Sequence, residues 1–335
     1  MSSVSRSVTV PPELAGERAD RVAALLFDEF SRAVLTRWMR EGALTVDDAP
    51  IKPKVRLLGG ERMRLEARLV AREDWRTAQD VPFRVVYEDE HLLVVDKPAG
   101  IVVHPGAGNA DGTLVNGLLR YRPSLAVLPR AGIVHRLDKD TSGLLLVAAT
   151  LESQHRLARM LARREISRRY LAVVEGSMVS GMEIEQPLGR DPLHRTRQAV
   201  RPDGRPAHTS VRVLERFRRH TSVEAALHTG RTHQIRVHLA HAGYPLVGDR
   251  RYGARGRLPP HPDPHLVAVI QAFSRQALHA AELALQHPVS GELLRFQSAP
   301  PPDIEQLLVA LRQDTAAAAA LARADRAGST GRTHD

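Results

Sequence analysis

The stretch Gly132-Ile133-Val134-His135-Arg136-Leu137-Asp138-Lys139-Asp140-Thr141-Ser142-Gly143 interrupts two apolar runs with a dense set of polar side chains. It carries basic groups at His135, Arg136 and Lys139, carboxylates at Asp138 and Asp140, and hydroxyls at Thr141 and Ser142. Burying such groups without partners is costly, so the stretch reads as a loop whose side chains do chemistry. Ile133-Val134 precedes the charges, and Leu144-Leu145-Leu146-Val147-Ala148 follows them as a short, wholly apolar run of the kind that forms a buried strand. A polar loop between rigid flanks is where a catalytic group is held in place.

Composition sets the outer bounds. A chain of 335 residues with 43% hydrophobic residues has material for about two domains with a sizeable core. No apolar run is long enough for a signal peptide or a membrane span, so cytoplasmic residence is expected. The absence of cysteine excludes disulfides, thiolate metal ligands and cysteine nucleophiles. A formal charge of +10, mostly from arginine, points to phosphate and hence to nucleic acid. Aromatic residues are only 4% of the chain, too few for a broad single-strand stacking platform. Structured RNA held through its backbone fits better.

Along the chain, residues 1–16 read as an N-terminal segment, and residues 17–65 as two short amphipathic helices followed by strands. Val22, Leu25 and Leu26 recur at helical spacing, as do Val34, Leu35 and Trp38 after an N-cap at Ser31. Gly42 stops the second helix, Leu44-Thr45-Val46 is a strand, Asp47-Asp48 a turn, and residues 51–65 further strands broken at Gly59-Gly60. A polar linker covers residues 71–80. The main domain is expected over 81–312, opening with two strands around the acidic turn Glu88-Asp89-Glu90. Its irregular alternation of strands and helices argues for an α+β fold with a mixed, mainly antiparallel sheet and flanking helices. Residues 313–335, rich in alanine and then in Gly, Ser and Thr, read as a disordered low-complexity tail.

His135-Arg136-Leu137-Asp138 with Thr141-Ser142-Gly143 resembles the signature of the RNA pseudouridine synthases. Gly230-Arg231-Thr232-His233-Gln234-Ile235-Arg236 resembles that family's second signature, and Arg168-Arg169-Tyr170-Leu171-Ala172 its basic-x-Tyr-x-Ala strand. The helix–helix–strand order of the N-terminal region resembles an S4-type RNA-binding module, which many members carry, with Asp47-Asp48 where Asn-Gly is usual. The three motifs fall in the family's order, and the likeness runs over residues 17–311. It is strongest to the D-type branch.

The resemblance implies isomerisation of uridine to pseudouridine in structured RNA, foremost large-subunit ribosomal RNA or a pre-ribosomal particle. Transfer RNA is the alternative substrate, and a non-catalytic ribosome-assembly factor the alternative role. The implied catalytic residues are Asp138 as nucleophile or base, Tyr170 stacking on the target base, and Arg236 pairing with Asp138. A carboxylate in a closed pocket needs such a cation to stay ionised. Arg136 is implied to fill the gap left by a flipped uridine, with His135 supporting the loop. Arg231, Thr141, His233 and Arg168 are the remaining substrate contacts, and Arg168 stands where many relatives have lysine. Lys97-Pro98-Ala99-Gly100 and His104-Pro105-Gly106 resemble a family segment that shapes the cleft wall.

In the N-terminal module Arg32, Arg37, Arg40, Lys52 and Lys54 are the expected RNA contacts. Thr232 is expected to cap a helix that turns Ile235 and Leu239 to the core and His233 and Arg236 to the site. The backbone N–H groups beside Arg231 would suit an anion. His233, His238 and His241 lack the spacing and the accompanying glutamate of a helical zinc site. No metal and no cofactor is expected, because isomerisation changes no oxidation state, and nothing demands more than a monomer.

Overall fold

The computed structural model describes residues 2–28, 30, 32–69, 77–106, 109–194, 196–253 and 256–330. The N-cap expected at Ser31, residues 71–76 of the linker and the last five residues of the tail lie outside the described residues. The chain divides into two compact units, Met1–Asp74 and Trp75–Asp335.

The first unit holds β1 (Ser2–Thr9), α1 (Ala19–Leu26), α2 (Arg32–Glu41), β2 (Leu44–Val46), β3 (Ala49–Pro50) and β4 (Arg62–Leu69), its sheet ordered β1-β4-β2-β3. Val22, Leu35, Trp38, Leu44, Met63 and Leu65 build its core. Leu25, expected on the apolar face of α1, is exposed instead. Asp47 and Asp48 both take positive φ, 48° and 59°, the conformation a two-residue hairpin turn needs to match strand twist. Residues 51–58, read as strand, form only an isolated bridge from Arg56 to Arg18, and the next strand begins at Arg62. The segment 1–16 belongs to this unit, because Val4 and Val8 pack on the core while β1 pairs along β4.

The second unit is built on a nine-stranded sheet. Its elements in order are β5 (Arg84–Glu88), β6 (Leu92–Lys97), α3 (Leu114–Tyr121), β7 (Ser142–Ala148), α4 (Leu151–Ala162), β8 (Ser167–Glu175), β9 (Met182–Glu185), β10 (Leu188–Arg190), β11 (Gln198–Val200), β12 (His208–Arg216), β13 (His220–Leu227), α5 (Gln234–His241), α6 (Pro264–Ala272), β14 (Leu278–Gln286), β15 (Leu293–Gln297) and α7 (Pro302–Thr330). The sheet order is β5-β6-β7-β14-β8-β13-β12-β9, with β15 on β14, while β10 and β11 form a separate ribbon. Every neighbouring pair is antiparallel except β7 with β14, which agrees with the mixed, mainly antiparallel sheet expected.

The continuous apolar runs follow from burial on both faces. Leu93, Val95, Leu145 and Val147 enter the core that contains Tyr170 and the α5 residues Ile235 and Leu239. Their neighbours Leu92, Val94, Leu144 and Leu146 pack with Leu157 of α4 on the other side. Gly132 and Gly143, which bound the polar stretch, are both fixed by close approach. A Cβ on Gly132 would lie 2.0 Å from the Ala148 carbonyl oxygen, and one on Gly143 2.3 Å from that of Ala280.

The tail departs from expectation. It continues α7 as helix through Thr330, in keeping with the high helix propensity of its alanines. At its start Asp314 is buried, pairs with Arg218 at 3.1 Å and accepts the Asp263 N–H.

Candidate active site

The turn after Asp138 is pinned from three directions. Thr141 N–H returns to the Asp138 carbonyl at 3.1 Å, and the Lys139 carbonyl accepts Gly100 N–H at 3.0 Å. Lys97 is fully buried, and its Nζ donates to the carbonyls of Pro98, Ile101 and Lys139 at 2.8, 2.9 and 3.0 Å. Burial pushes Lys97 down to about 7, against the opposing pull of Asp140 and Asp138. Arg275, itself anchored on Asp303, donates to the Asp140 carbonyl at 3.0 Å, and Gln276 reaches the Thr141 hydroxyl at 3.2 Å. On the other side of Asp138, His135 Nε2 accepts Leu146 N–H of β7 at 3.0 Å. Its inward placement, with Arg168 nearby, lowers the imidazole to about 3, so His135 is neutral and supports the loop.

This rigid turn presents Asp138 to Arg236. The guanidinium donates from Nη1 to Asp138 Oδ2 at 3.0 Å, and from Nε and Nη2 to both oxygens of Asp249 at 2.8 and 2.9 Å. Asp249 is 1% exposed at its side chain and also accepts N–H groups of Arg251 and Tyr252. Burial alone would raise the Asp249 pKa, but the Arg236 hydrogen bonds and charge outweigh it and hold the carboxyl below its ordinary value. Burial acts against the Arg236 cation, and Asp249 with Asp138 more than restores it, raising its pKa.

His233 completes the surround. Its Nε2 lies 3.9 Å from Asp138 Oδ1, and its Nδ1 meets the Tyr252 hydroxyl at 2.7 Å. The residue caps α5 in a left-handed conformation, φ 57° and ψ 20°, which costs an L-residue about 1 kcal/mol. Thr232, the expected cap, does not play that part. The Gln234 carboxamide closes the turn by accepting Arg231 N–H at 3.0 Å and the Thr229 hydroxyl at 2.7 Å. The Arg231 N–H is therefore taken, rather than open to an anion.

Asp138, Arg236, His233, Tyr170, Thr141, Arg136 and Arg231 all line one cleft, whose walls are completed by Leu137, Leu227, Gln234, Ile235 and Leu278. Its volume, open mouth included, is about 340 Å³. Tyr170 projects from β8 and is buried. Burial raises its phenol pKa, with Arg168 opposing and Asp138 assisting. Arg136 and Arg231 are exposed, and Arg231 Nε donates to the Pro206 carbonyl at 3.1 Å.

His135 and Arg168 are not in the lining. Arg168 is 8% exposed, alternates along β8 with Tyr170 and Ala172, and lies against Gly230, whereas Ile166, just before the strand, packs on the α4 side of the sheet. Among the described residues nothing accepts a hydrogen bond from its Nε. In the first unit Arg32 is bound to Asp20 at 2.8 Å and Arg37 faces Glu41 at 3.8 Å. Arg40, Lys52 and Lys54 are exposed.

Both nitrogens of His238 are occupied, by the Thr209 hydroxyl and the Gln186 carbonyl at 2.9 Å each, which separates it from His233. Among the described residues, potential metal ligands converge at Glu183, His208 and His228, within 4.8 Å of one another. The Ser210 hydroxyl bonds Glu183 and His228 there at 2.6 Å each, leaving both satisfied without an ion. Sequence reasoning passed over Asp249 and Tyr252. Both stand in Gly248-Asp249-Arg250-Arg251-Tyr252, eight and eleven residues beyond the end of α5 at His241, where no periodicity marks them.

Residues 91–241 match the family described as RNA pseudouridylate synthase. The ribosomal large subunit pseudouridine synthase D of Xanthomonas campestris pv. campestris is 50% identical over 323 residues, covering 96% of this chain and 97% of that protein. The chain belongs to the RNA pseudouridylate synthase family. The protein of the same description from Pseudomonas aeruginosa is 51% identical over 311 residues, 93% of this chain and 97% of its own. Human RNA pseudouridylate synthase domain containing 1 shares the fold at a TM-score of 0.52 and 25% identity, over 70% of this chain and 96% of that one. Domain containing 4 does so at 0.54 and 23%, over 68% and 93%. The pseudouridylate synthase motifs lie on one cleft, and the chemistry is the isomerisation of uridine to pseudouridine in RNA.

Proposed function

We propose that this pseudouridine synthase modifies specific uridines of large-subunit ribosomal RNA, with Asp138 as the reacting carboxylate, Arg236 holding it and Tyr170 stacking on the flipped base. The observation that carries the reading is the Arg236–Asp138 hydrogen bond of 3.0 Å inside a cleft that Tyr170 also lines. The reaction must break the N1–C1′ bond, keep the uracil in place and join C1′ to C5. One carboxylate can serve by adding to C1′ or by taking the C2′ proton, and both routes use the same oxygen. Arg236 donates to Oδ2 and leaves Oδ1 outside that hydrogen bond. Arg136, exposed on the cleft lining, is suited to fill the stack the uridine leaves. The relatives named for the ribosomal large subunit support the substrate class, and a ribosomal RNA substrate supports a cytoplasmic location. The first unit, with two helices leading into a hairpin, is read as an S4-type module that adds backbone affinity.

The test is pseudouridine mapping of large-subunit ribosomal RNA and transfer RNA incubated with the wild type and with Asp138→Asn. New sites on ribosomal RNA with the wild type alone are expected. Sites that persist in Asp138→Asn would remove that residue from the chemistry. Modification of transfer RNA alone would overturn the substrate, and no new site on either RNA would leave a non-catalytic assembly factor.

A further inference from the structure

The donors around Asp138 are mostly committed. Arg236 directs Nε and Nη2 to Asp249 and Nη1 to Asp138. His233 is different. Its side chain is 13% exposed and lines the cleft, and its Nε2, 3.9 Å from Asp138 Oδ1, is too distant for a hydrogen bond to it. The other ring nitrogen is fixed. Tyr252 Oη accepts the Gln198 N–H at 2.8 Å and touches His233 Nδ1 at 2.7 Å. That leaves the phenol's own proton with Nδ1 as its acceptor, so the imidazole proton resides on Nε2. A proton there also faces the Asp138 carboxylate favourably. Burial, with Arg236 and Arg251 nearby, lowers the pKa of His233 against the pull of Asp138, so the ring is neutral and this tautomer is its working form. Tyr252 is tied in on its other sides, its ring under the Arg236 guanidinium at 5.1 Å and its N–H on Asp249.

We infer that His233, held as the Nε2–H tautomer by Tyr252, donates a hydrogen bond to the uracil anion released when the N1–C1′ bond breaks. This makes His233 a further catalytic residue and Tyr252 its positioning residue. The inference rests on Asp138 as the reacting carboxylate. Whether Asp138 adds to C1′ or takes the C2′ proton, the bonding pair leaves with N1 and spreads to the uracil oxygens. A fixed neutral donor stabilises that charge without surrendering its proton. When C5 attacks C1′, the pair enters the new carbon–carbon bond while the C1′–O bond to Asp138 breaks or Asp138 returns the proton to C2′; the C5 proton then leaves, N1 takes up a proton, and Nε2 keeps its hydrogen. The strained cap conformation of His233 fits a side chain placed for function.

The experiment combines imidazole ¹⁵N NMR of the full chain, single-turnover rates and RNA affinity for the wild type, Tyr252→Phe, His233→Gln, His233→Phe and Asp138→Asn. The wild-type His233 signal, assigned by its loss in His233→Gln, is expected as the Nε2–H tautomer. In Tyr252→Phe it becomes a mixture, with a rate loss of about tenfold or more and unchanged RNA affinity. His233→Phe loses about 10²-fold in rate at unchanged affinity, and His233→Gln, which retains an N–H at similar reach, recovers most of it. An Nδ1–H tautomer in the wild type, an unaltered tautomer in Tyr252→Phe, or full rate in His233→Phe would overturn the inference. If Asp138→Asn is inactive while His233→Phe is not, only this inference falls. An active Asp138→Asn removes the reading beneath it.

Discussion

Arg236 is held from two sides, and the two sides do different work. Its bidentate contact with Asp249 fixes the plane of the guanidinium, so the remaining Nη1 reaches Asp138 in a set direction. Asp249→Asn keeps the shape but removes the charge that balances a buried arginine. Breaking such a pair on one side costs about 3 kcal/mol, so urea denaturation at neutral pH should show a loss of that order. A loss below about 1 kcal/mol would mean that water balances Arg236 instead. The sign with pH is fixed too. The Asp249 pKa lies below its ordinary value of 3.8, so its contribution is present above that value and is lost as the pH falls through the lower folded value. The gap between wild type and Asp249→Asn should therefore narrow in strong acid. At this scale the sequence was legible where residues of the cleft sit inside a local pattern: Asp138 in a polar loop, Tyr170 on an alternating strand, Arg236 one helical turn from His233. Asp249 and Tyr252 were not, because a turn residue has no periodicity and their partners lie far back in the chain.

The loop after Asp138 is an element without regular structure, and its rigidity comes from donors that reach its carbonyls. Lys97 supplies the most deeply buried of these, joining the end of β6 to the Lys139 carbonyl. The sequence put Lys97 in the cleft wall, and a buried ammonium was not legible there because lysines at strand ends usually face water. Lys97→Met leaves three carbonyl oxygens without that donor, and each unsatisfied group costs about 1 kcal/mol or more. Stability should drop by about 3 kcal/mol at neutral pH, and the rate should fall more than RNA affinity, since it is the Asp138 turn that loosens. Linkage gives a second signature. Lys97 sits near 7 in the fold against 10.5 ordinarily, so between those values the unfolded chain holds the extra proton. The Lys97 contribution then grows as the pH rises from about 7 towards 10.5. The difference between wild type and Lys97→Met, followed by denaturant titration across that window, should increase with pH; a flat difference would place the charged form in the fold throughout. The strands around this loop were legible because each is a continuous apolar run. β1 was missed because Ser and Arg separate its valines, and what makes it a strand is β4, some sixty residues later.

At the scale of the molecule, the formal charge of +10 says that RNA is approached through its phosphates, but not which cations touch it. In the first unit Arg32 is committed to Asp20, where it bridges α1 and α2, and Arg37 faces Glu41. An arginine so engaged is a poorer phosphate ligand, which leaves Arg40, Lys52 and Lys54 as the members of the expected set that, among the described residues, are exposed and form no ion pair. Each phosphate contact adds about 0.7 to 0.9 to the slope of log affinity against log salt. If these three residues grip the backbone, replacing all of them with alanine should reduce the slope by about 2 to 3, with the fold retained because none lies in the core of that unit. Arg32→Ala should act mainly on stability, since it leaves Asp20 to Arg18 alone. Fluorescence anisotropy with a large-subunit ribosomal RNA fragment, repeated from about 50 to about 200 mM salt, separates the two. An unchanged slope in the triple variant would mean that the first unit does not supply the electrostatic grip and that the cations around the cleft, Arg136 and Arg231 among them, carry it instead.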